Sequence, residues 1–179
     1  DHVDLNISSG KIIRFNDPRR FGCVLWANDW SDHKLIKSLG VEPLTEVFTG
    51  KYLHLKAKGK KTTIKQFIMN GKLVVGVGNI YANEALFLAG IHPSRVVNKV
   101  SLKSMNLLVD CIKKVLSEAI KQGGTTLKDF VGSDGKPGYF KQQLNVYGRA
   151  GEGCNICKEP LQEIRQNNRS SVFCSQCQR

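Results

Sequence analysis

At 179 residues the chain has room for one ordinary domain or two small ones, and an apolar content of 41% is enough for a packed core, which excludes disorder as the default. Lys and Arg outnumber Asp and Glu by 27 to 15, a formal charge of +12 that favours a polyanionic partner. No apolar run approaches the roughly 20 residues that a bilayer-spanning helix needs, so no membrane role is expected.

The chain starts at Asp1 without a Met, and its first residues read as the middle of a sheet, so a fragment or processed product is expected. Lys11 to Phe15 and Phe21 to Trp26 read as two short strands joined by a turn at Asn16-Asp17-Pro18-Arg19-Arg20. Pro18-Arg19-Arg20-Phe21-Gly22 sets two guanidiniums beside an aromatic at the hairpin end. Such a tip can wedge into a base stack while the arginines hold phosphate. On these residues alone an ordinary hairpin with Phe21 in the core is the simpler reading. Gly40-Val41-Glu42-Pro43-Leu44 then separates strands from helices.

Helices are predicted over Thr45 to about Lys58, from Thr63 with a capping-box Gln66, over Asn79 to Ala89, and over Ser101 to Gln122. In the last of these Leu102, Met105, Leu108, Val109, Ile112, Val115, Leu116, Ala119 and Ile120 keep a helical period. Lys51, Lys56, Lys58, Lys60, Lys61 and Lys65 crowd the region before a glycine-rich turn. A solvated helix face is the usual meaning of such a run; its place shifts the reading towards phosphate contact. The turn itself, Gly71 to Tyr81, includes Gly76 and Gly78 and feeds a helix amino terminus. There backbone N–H groups and the helix dipole suit an anion, and Asn79 is expected to cap the helix. A nucleotide-binding loop is the weaker rival, since no Walker Lys-Ser/Thr follows.

Two C-x2-C pairs, Cys154 with Cys157 and Cys174 with Cys177, are separated by 16 residues. Four thiolates at this spacing predict one structural Zn²⁺ in a closed tetrahedral shell and a reducing compartment. Cys23 and Cys111 are expected to be small buried hydrophobes. Arg169 lies on the second ribbon hairpin among Asn167, Asn168, Ser170 and Ser171, where it suits a DNA groove or a solvated turn. His2, His33, His54 and His92 show neither metal spacing nor a nucleophile partner, and His92 before Pro93 is read as a helix-terminal contact.

Taken in order, these residues resemble the formamidopyrimidine-DNA glycosylases, bacterial base-excision enzymes that remove oxidised purines. The likeness is carried by Asp17 to Gly22, Lys72 to Ala82 and Ala89 to Pro93, by Gln122 to Phe130 and Ser133 to Phe140, and by Cys174 to Gln178. It implies an α+β fold in three parts: the end of a β-sandwich over 1–43, a helix–two-turn–helix domain with a lesion-covering loop over 44–140, and a zinc ribbon over 141–179. It implies a base-excision DNA glycosylase with AP lyase activity by β,δ-elimination on 8-oxoguanine and formamidopyrimidines. The partner would be double-stranded DNA carrying an oxidised base, bound by a monomer in the bacterial cytoplasm at the nucleoid.

By the same resemblance Arg19, Arg20, Lys60, Lys65 and Tyr147 are candidate DNA contacts, and Phe21 with Arg19 would fill the gap left by a flipped nucleotide. Gly76, Gly78 and Asn79 would grip phosphates, Arg169 would donate a proton in δ-elimination, and the 123–140 region would cover the extruded base. The family's amino-terminal Pro nucleophile, the Glu after it and a Lys acting in β-elimination have no counterpart among these residues, so the chain alone is expected to bind without catalysis. A non-catalytic damaged-DNA-binding module and the related glycosylase for oxidised pyrimidines remain the alternatives.

Overall fold

The computed structural model describes residues 3–17, 20–124 and 144–179. They fall into two compact units, Asp1–Ser38 and Leu39–Arg179.

In the first unit β1 (Val3–Asn6) and β2 (Ile12–Phe15) form an antiparallel hairpin pairing Val3 with Phe15 and Asn6 with Ile12. The chain reverses at Ser8-Ser9-Gly10, where Gly10 takes φ +76° and its N–H donates to the Ile7 carbonyl. Arg14 forks onto the opposite carboxylate of Asp4 at 2.8 and 2.9 Å. The expected pairing of Lys11–Phe15 with Phe21–Trp26 is therefore corrected: β2 takes its partner from upstream, across a short local turn. The Arg20 N–H donates to the Asp17 carbonyl. The Asp17 carboxylate accepts from the N–H of Gly22, and Arg20 sits at φ +55°. Phe21 is 82% exposed and Cys23 is exposed, against the expectation that Cys23 is buried. A 3-10 turn over Trp30–Asp32 and the one-turn α1 (Lys34–Lys37) follow.

Among the described residues the second unit is built on four α-helices. α2 (Gly50–Ala57) starts later than the predicted Thr45, because Thr49 caps it by accepting from the N–H of Tyr52. Thr45 serves a turn instead: its hydroxyl donates to the Glu42 carbonyl, and its own carbonyl accepts from Lys113. α3 (Ile64–Ile68) is capped by Thr63 as expected. The capping box is only half formed, since the Gln66 side chain meets the Thr62 hydroxyl. α4 (Asn79–Leu88) ends before Gly90 at φ +66°, and α5 (Leu102–Lys121) runs from its Ser101 cap to Gly123 at φ +71°.

Phe48, Leu53, Ile64, Ile68, Leu86, Met105, Leu108 and Ile112 are fully buried where these helices meet. The predicted stripe of α5 holds from Met105 to Ala119, while Leu102 and Ile120 at its ends face solvent. β3 (Gln162–Gln166) and β4 (Arg169–Phe173) form the ribbon's antiparallel pair. Gln166 faces Arg169 across Asn167 and Asn168, both left-handed at φ 48° and 58°, the backbone of a two-residue hairpin turn. A second small core joins Val146, Leu161, Val172, Cys154 and Cys174 to Phe87, which α4 contributes. Among the described residues no helix is long and apolar enough to cross a membrane.

The α2–α5 crossing is so close that a methyl group on Gly50 would stand 2.5 Å from the Asn106 backbone nitrogen. Gly50→Ala is therefore expected to destabilise the second unit by about 1–3 kcal/mol through overpacking, read as a lowered denaturant midpoint.

Candidate nucleic-acid interface and metal centre

The carboxy-terminal cysteines converge. Their ligand sulfurs all lie within 4.8 Å of one another, with Cys157 to Cys174 at 3.4 Å and Cys154 to Cys177 at 3.9 Å. A tetrahedral ion with bonds of about 2.3 Å to sulfur needs sulfurs about 3.8 Å apart, so the set is sized for one metal ion. Burial pushes the Cys154 thiol up, but N–H donors of Cys157 and Ile156 outweigh it and bring it to about 7. Burial and then the neighbouring thiols push Cys177 up to about 12. Thiolates crowded like this repel one another until a cation neutralises them.

The ribbon is tied to the helices by polar side chains. Gln178, buried, accepts from the Cys174 N–H and donates to the Ile91 carbonyl, so the second cysteine knuckle rests on the turn after α4. His92 lies edge-on against Phe173 with ring centroids 4.3 Å apart, and its Nδ1 accepts from the Ser94 N–H. It occupies the turn after the helix, in line with its reading as a contact. Glu84 on α4 is 1% exposed, and its carboxylate accepts from the backbone N–H groups of Asn145, Val146 and Tyr147 and from the Asn145 amide. Tyr147, half-buried, is held by that carboxylate and packs on Val115, Ala119 and Leu144. Glu84 and Gln178 escaped the reading of the sequence. For Glu84 the available signal was a charged residue beside Asn83 in the mostly apolar Ile80–Leu88 run.

Three other candidates meet at the start of α4. Gly76 takes φ +76°, Gly78 is the N-cap, and Asn79 is the first helical residue. This corrects the expectation that Asn79 caps the helix: its side chain makes no cap bond, and its Oδ1 is buried with no hydrogen-bond partner among the described residues. Arg169 is exposed and lines a cleft of about 210 Å³ with Lys65, Gln66, Met69, Gln166 and Asn167. Gln66 also borders a groove of about 470 Å³ edged by Lys56, Lys60, Thr62, Asn70 and Lys72, which places Lys60 beside the Arg169 cleft. From Val47 to Asn83 the chain carries seven lysines and no Asp or Glu, so nothing within that stretch offsets their charge.

Lys65 departs from the expected surface cluster. It is 1% exposed and donates to the Ser170 carbonyl at 2.6 Å and the Ser171 hydroxyl at 2.7 Å, so its charge supports the ribbon strand rather than meeting solvent. Burial and then the nearby Arg169 bring its ammonium down to about 8. Arg20 and Phe21 belong to the first unit. Arg19 lies outside the described residues, as does the predicted lesion-covering region 123–140 from residue 125 onward.

A helical module whose glycine turn opens a helix amino terminus is thus joined to a ribbon whose four cysteines are placed to hold one metal ion. The family model described as the formamidopyrimidine-DNA glycosylase H2TH domain matches residues 39–131. The chain is 60% identical over 180 residues to the formamidopyrimidine-DNA glycosylase of Marinomonas sp., and 59% identical over 179 residues to that of Photobacterium profundum. The two alignments take in 99% and 100% of this chain and 66% of each relative. Among solved structures it is similar to the MutM (Fpg) protein of Thermus thermophilus, with TM-score 0.85 and 36% identity over 95% of this chain and 65% of that one. It also resembles the Lactococcus lactis Fpg in complex with DNA containing an abasic site, with TM-score 0.74 and 37% identity over 81% of this chain and 53% of that one. The chain belongs to the formamidopyrimidine-DNA glycosylase family and spans just under two thirds of the length of the Marinomonas and Photobacterium relatives.

Two outcomes are expected of this site. Stripping the metal with a chelator should unfold the ribbon, because a structural metal supplies folding free energy on the order of 10 kcal/mol; the check is near-UV circular dichroism with metal content measured in parallel. For Lys65, between about pH 8 and 10.5 the folded chain releases a proton that the unfolded chain keeps. Stability tied to this residue therefore rises with pH across that window as the buried charge is lost. Comparing wild type with Lys65→Met by urea unfolding at several pH values should show wild type gaining on the variant as pH rises.

Proposed function

We propose that this chain supplies the DNA grip of a base-excision glycosylase with AP lyase activity on oxidised purines such as 8-oxoguanine and formamidopyrimidines, with double-stranded DNA as partner. The observation that carries this reading is that α4 connects two anion-seeking features. At its amino terminus are Gly76, Gly78 and the backbone N–H groups of the first turn, with Asn79 as its first residue; against its side lies the hairpin bearing exposed Arg169. Backbone N–H groups and a helix dipole hold one phosphate there, and Lys60 in the adjoining groove holds another. Arg169 reaches the lesion site and donates the proton in δ-elimination, with Tyr147 as a further DNA contact. Arg19 and Arg20 hold the duplex while Phe21, 82% exposed, fills the gap left by the flipped nucleotide. One Zn²⁺ held by Cys154, Cys157, Cys174 and Cys177 keeps the ribbon folded and takes no part in the chemistry, since four thiolates leave it no open position. Similarity to a relative solved with abasic-site DNA supports this reading.

The test is binding of the metal-loaded chain to a duplex containing an abasic analogue, followed by fluorescence anisotropy across salt concentrations. If about four phosphates are neutralised, log K falls against log salt with a slope near −3.6. A flat response would overturn the phosphate grip. Borohydride treatment on a duplex carrying 8-oxoguanine opposite cytosine, run in parallel, should leave binding without a covalent adduct. A trapped adduct would show that an amine among these residues attacks the sugar, and the assignment of binding without catalysis to this chain would then be wrong.

A further inference from the structure

Asn83 has no part in the function described so far, yet its carboxamide sits at the junction of the two features that the function needs. The residue is 2% exposed on α4, one turn beyond Asn79. Its Nδ2 donates to the Asn79 carbonyl at 2.7 Å and reaches the Ser170 carbonyl at 3.5 Å, and its Oδ1 accepts from the Val172 N–H at 2.8 Å. Among the described residues β4 pairs with β3 along one edge only. Alternate peptide groups on its other edge, among them the Ser170 carbonyl and the Val172 N–H, would be unsatisfied without a partner. A carboxamide carries a donor and an acceptor on one plane, so Asn83 serves that edge as a neighbouring strand would. Lys65 completes the edge by donating to the same Ser170 carbonyl.

We infer that Asn83 is a positioning residue, whose amide locks the free edge of β4 to the first turn of α4 and so sets Arg169 at a fixed distance from the Asn79 anion site. This inference rests on the proposed role of Arg169. The logic is geometric. Arg169 is the first residue of β4, immediately after a two-residue turn, and a turn of that kind fixes β4 against β3 but not along α4. The core contacts of Phe87 and Val172 resist separation of ribbon and helix. Apolar packing is non-directional, whereas the paired hydrogen bonds of Asn83 specify the register of strand against helix.

A double-mutant cycle of Asn83→Ala and Arg169→Ala tests this, reading affinity for the abasic-analogue duplex and its salt slope, with metal content and melting recorded for every variant. Arg169→Ala is expected to weaken binding about tenfold, the loss of one charge-assisted contact, and to make the slope shallower by about 0.9. Asn83→Ala is expected to weaken binding several-fold and flatten the slope in the same direction. In the Arg169→Ala background it should do nothing further. A general loss of stability would instead lower affinity equally in both backgrounds, and that additivity would sink the inference while leaving the role of Arg169 standing. If Arg169→Ala leaves affinity and slope unchanged, the proposed role of Arg169 falls and the inference falls with it. Asn83→Asp keeps the acceptor for Val172 and the side-chain volume but lacks the donor. It replaces the alanine variant in the same cycle should that variant lose metal or melt early, and the same two outcomes decide.

Discussion

The second unit depends on how the polar side chains of one buried helix are satisfied. Every residue of α4 from Ala82 to Phe87 is buried. Ala82, Ala85 and Leu86 face the helical core, Phe87 enters the ribbon, and Asn83 and Glu84 are as deeply buried as any of them. A buried carboxylate without partners would cost several kcal/mol, and a buried carboxamide would lose both of its bonds. The chain meets both demands with backbone from beyond the helices: Glu84 receives the N–H groups of 145–147, and Asn83 receives the edge of β4. The two segments that follow the helical module are thus drawn to one helix by obligations of that helix.

This arrangement explains why the ribbon and the helices belong to one compact unit although the ribbon is small. A ribbon of about forty residues buries too little apolar surface to stand alone, and such modules rely on a metal. Here the four cysteines close the ribbon internally, while Phe87, Gln178 and His92 join it to the turn at Gly90–His92. Lys65 is part of the same junction. An ammonium buried beside Arg169 is unfavourable in isolation, and its two short bonds to Ser170 and Ser171 are what keep it there.

Charge divides between two tasks in consequence. The lysines at 51, 56, 58, 60, 61 and 72 remain exposed, in a stretch free of acidic residues, and create a positive field suited to drawing in a polyanion. Such a field is broad and carries no geometry. Geometry comes from the few groups held rigidly, the amino terminus of α4 and the hairpin of Arg169, and in the proposed function these set where the phosphates and the lesion lie.

Much of this was legible in the residues themselves. Local rules act on contiguous sequence, so the cap at Thr63, the ends of α4 and α5 close to Gly90 and Gly123, the period of α5 from Met105 to Ala119 and the paired C-x2-C motif all appear in the structure as read. Local rules also misled where a partner was decisive: Phe21–Trp26 looks like a strand yet forms no ladder among the described residues, and Thr45 was drawn into a turn that left the helix to start at Thr49. The sequence by itself determined the net positive charge, the metal-binding set and the helical elements, because each is a property of composition or of short spacing. Only the tertiary structure decided that Lys65 is buried, that Gly78 rather than Asn79 caps α4, and that Asn83 and Glu84 hold the ribbon. Those outcomes depend on which backbone groups, up to 105 residues away, arrive needing a hydrogen bond.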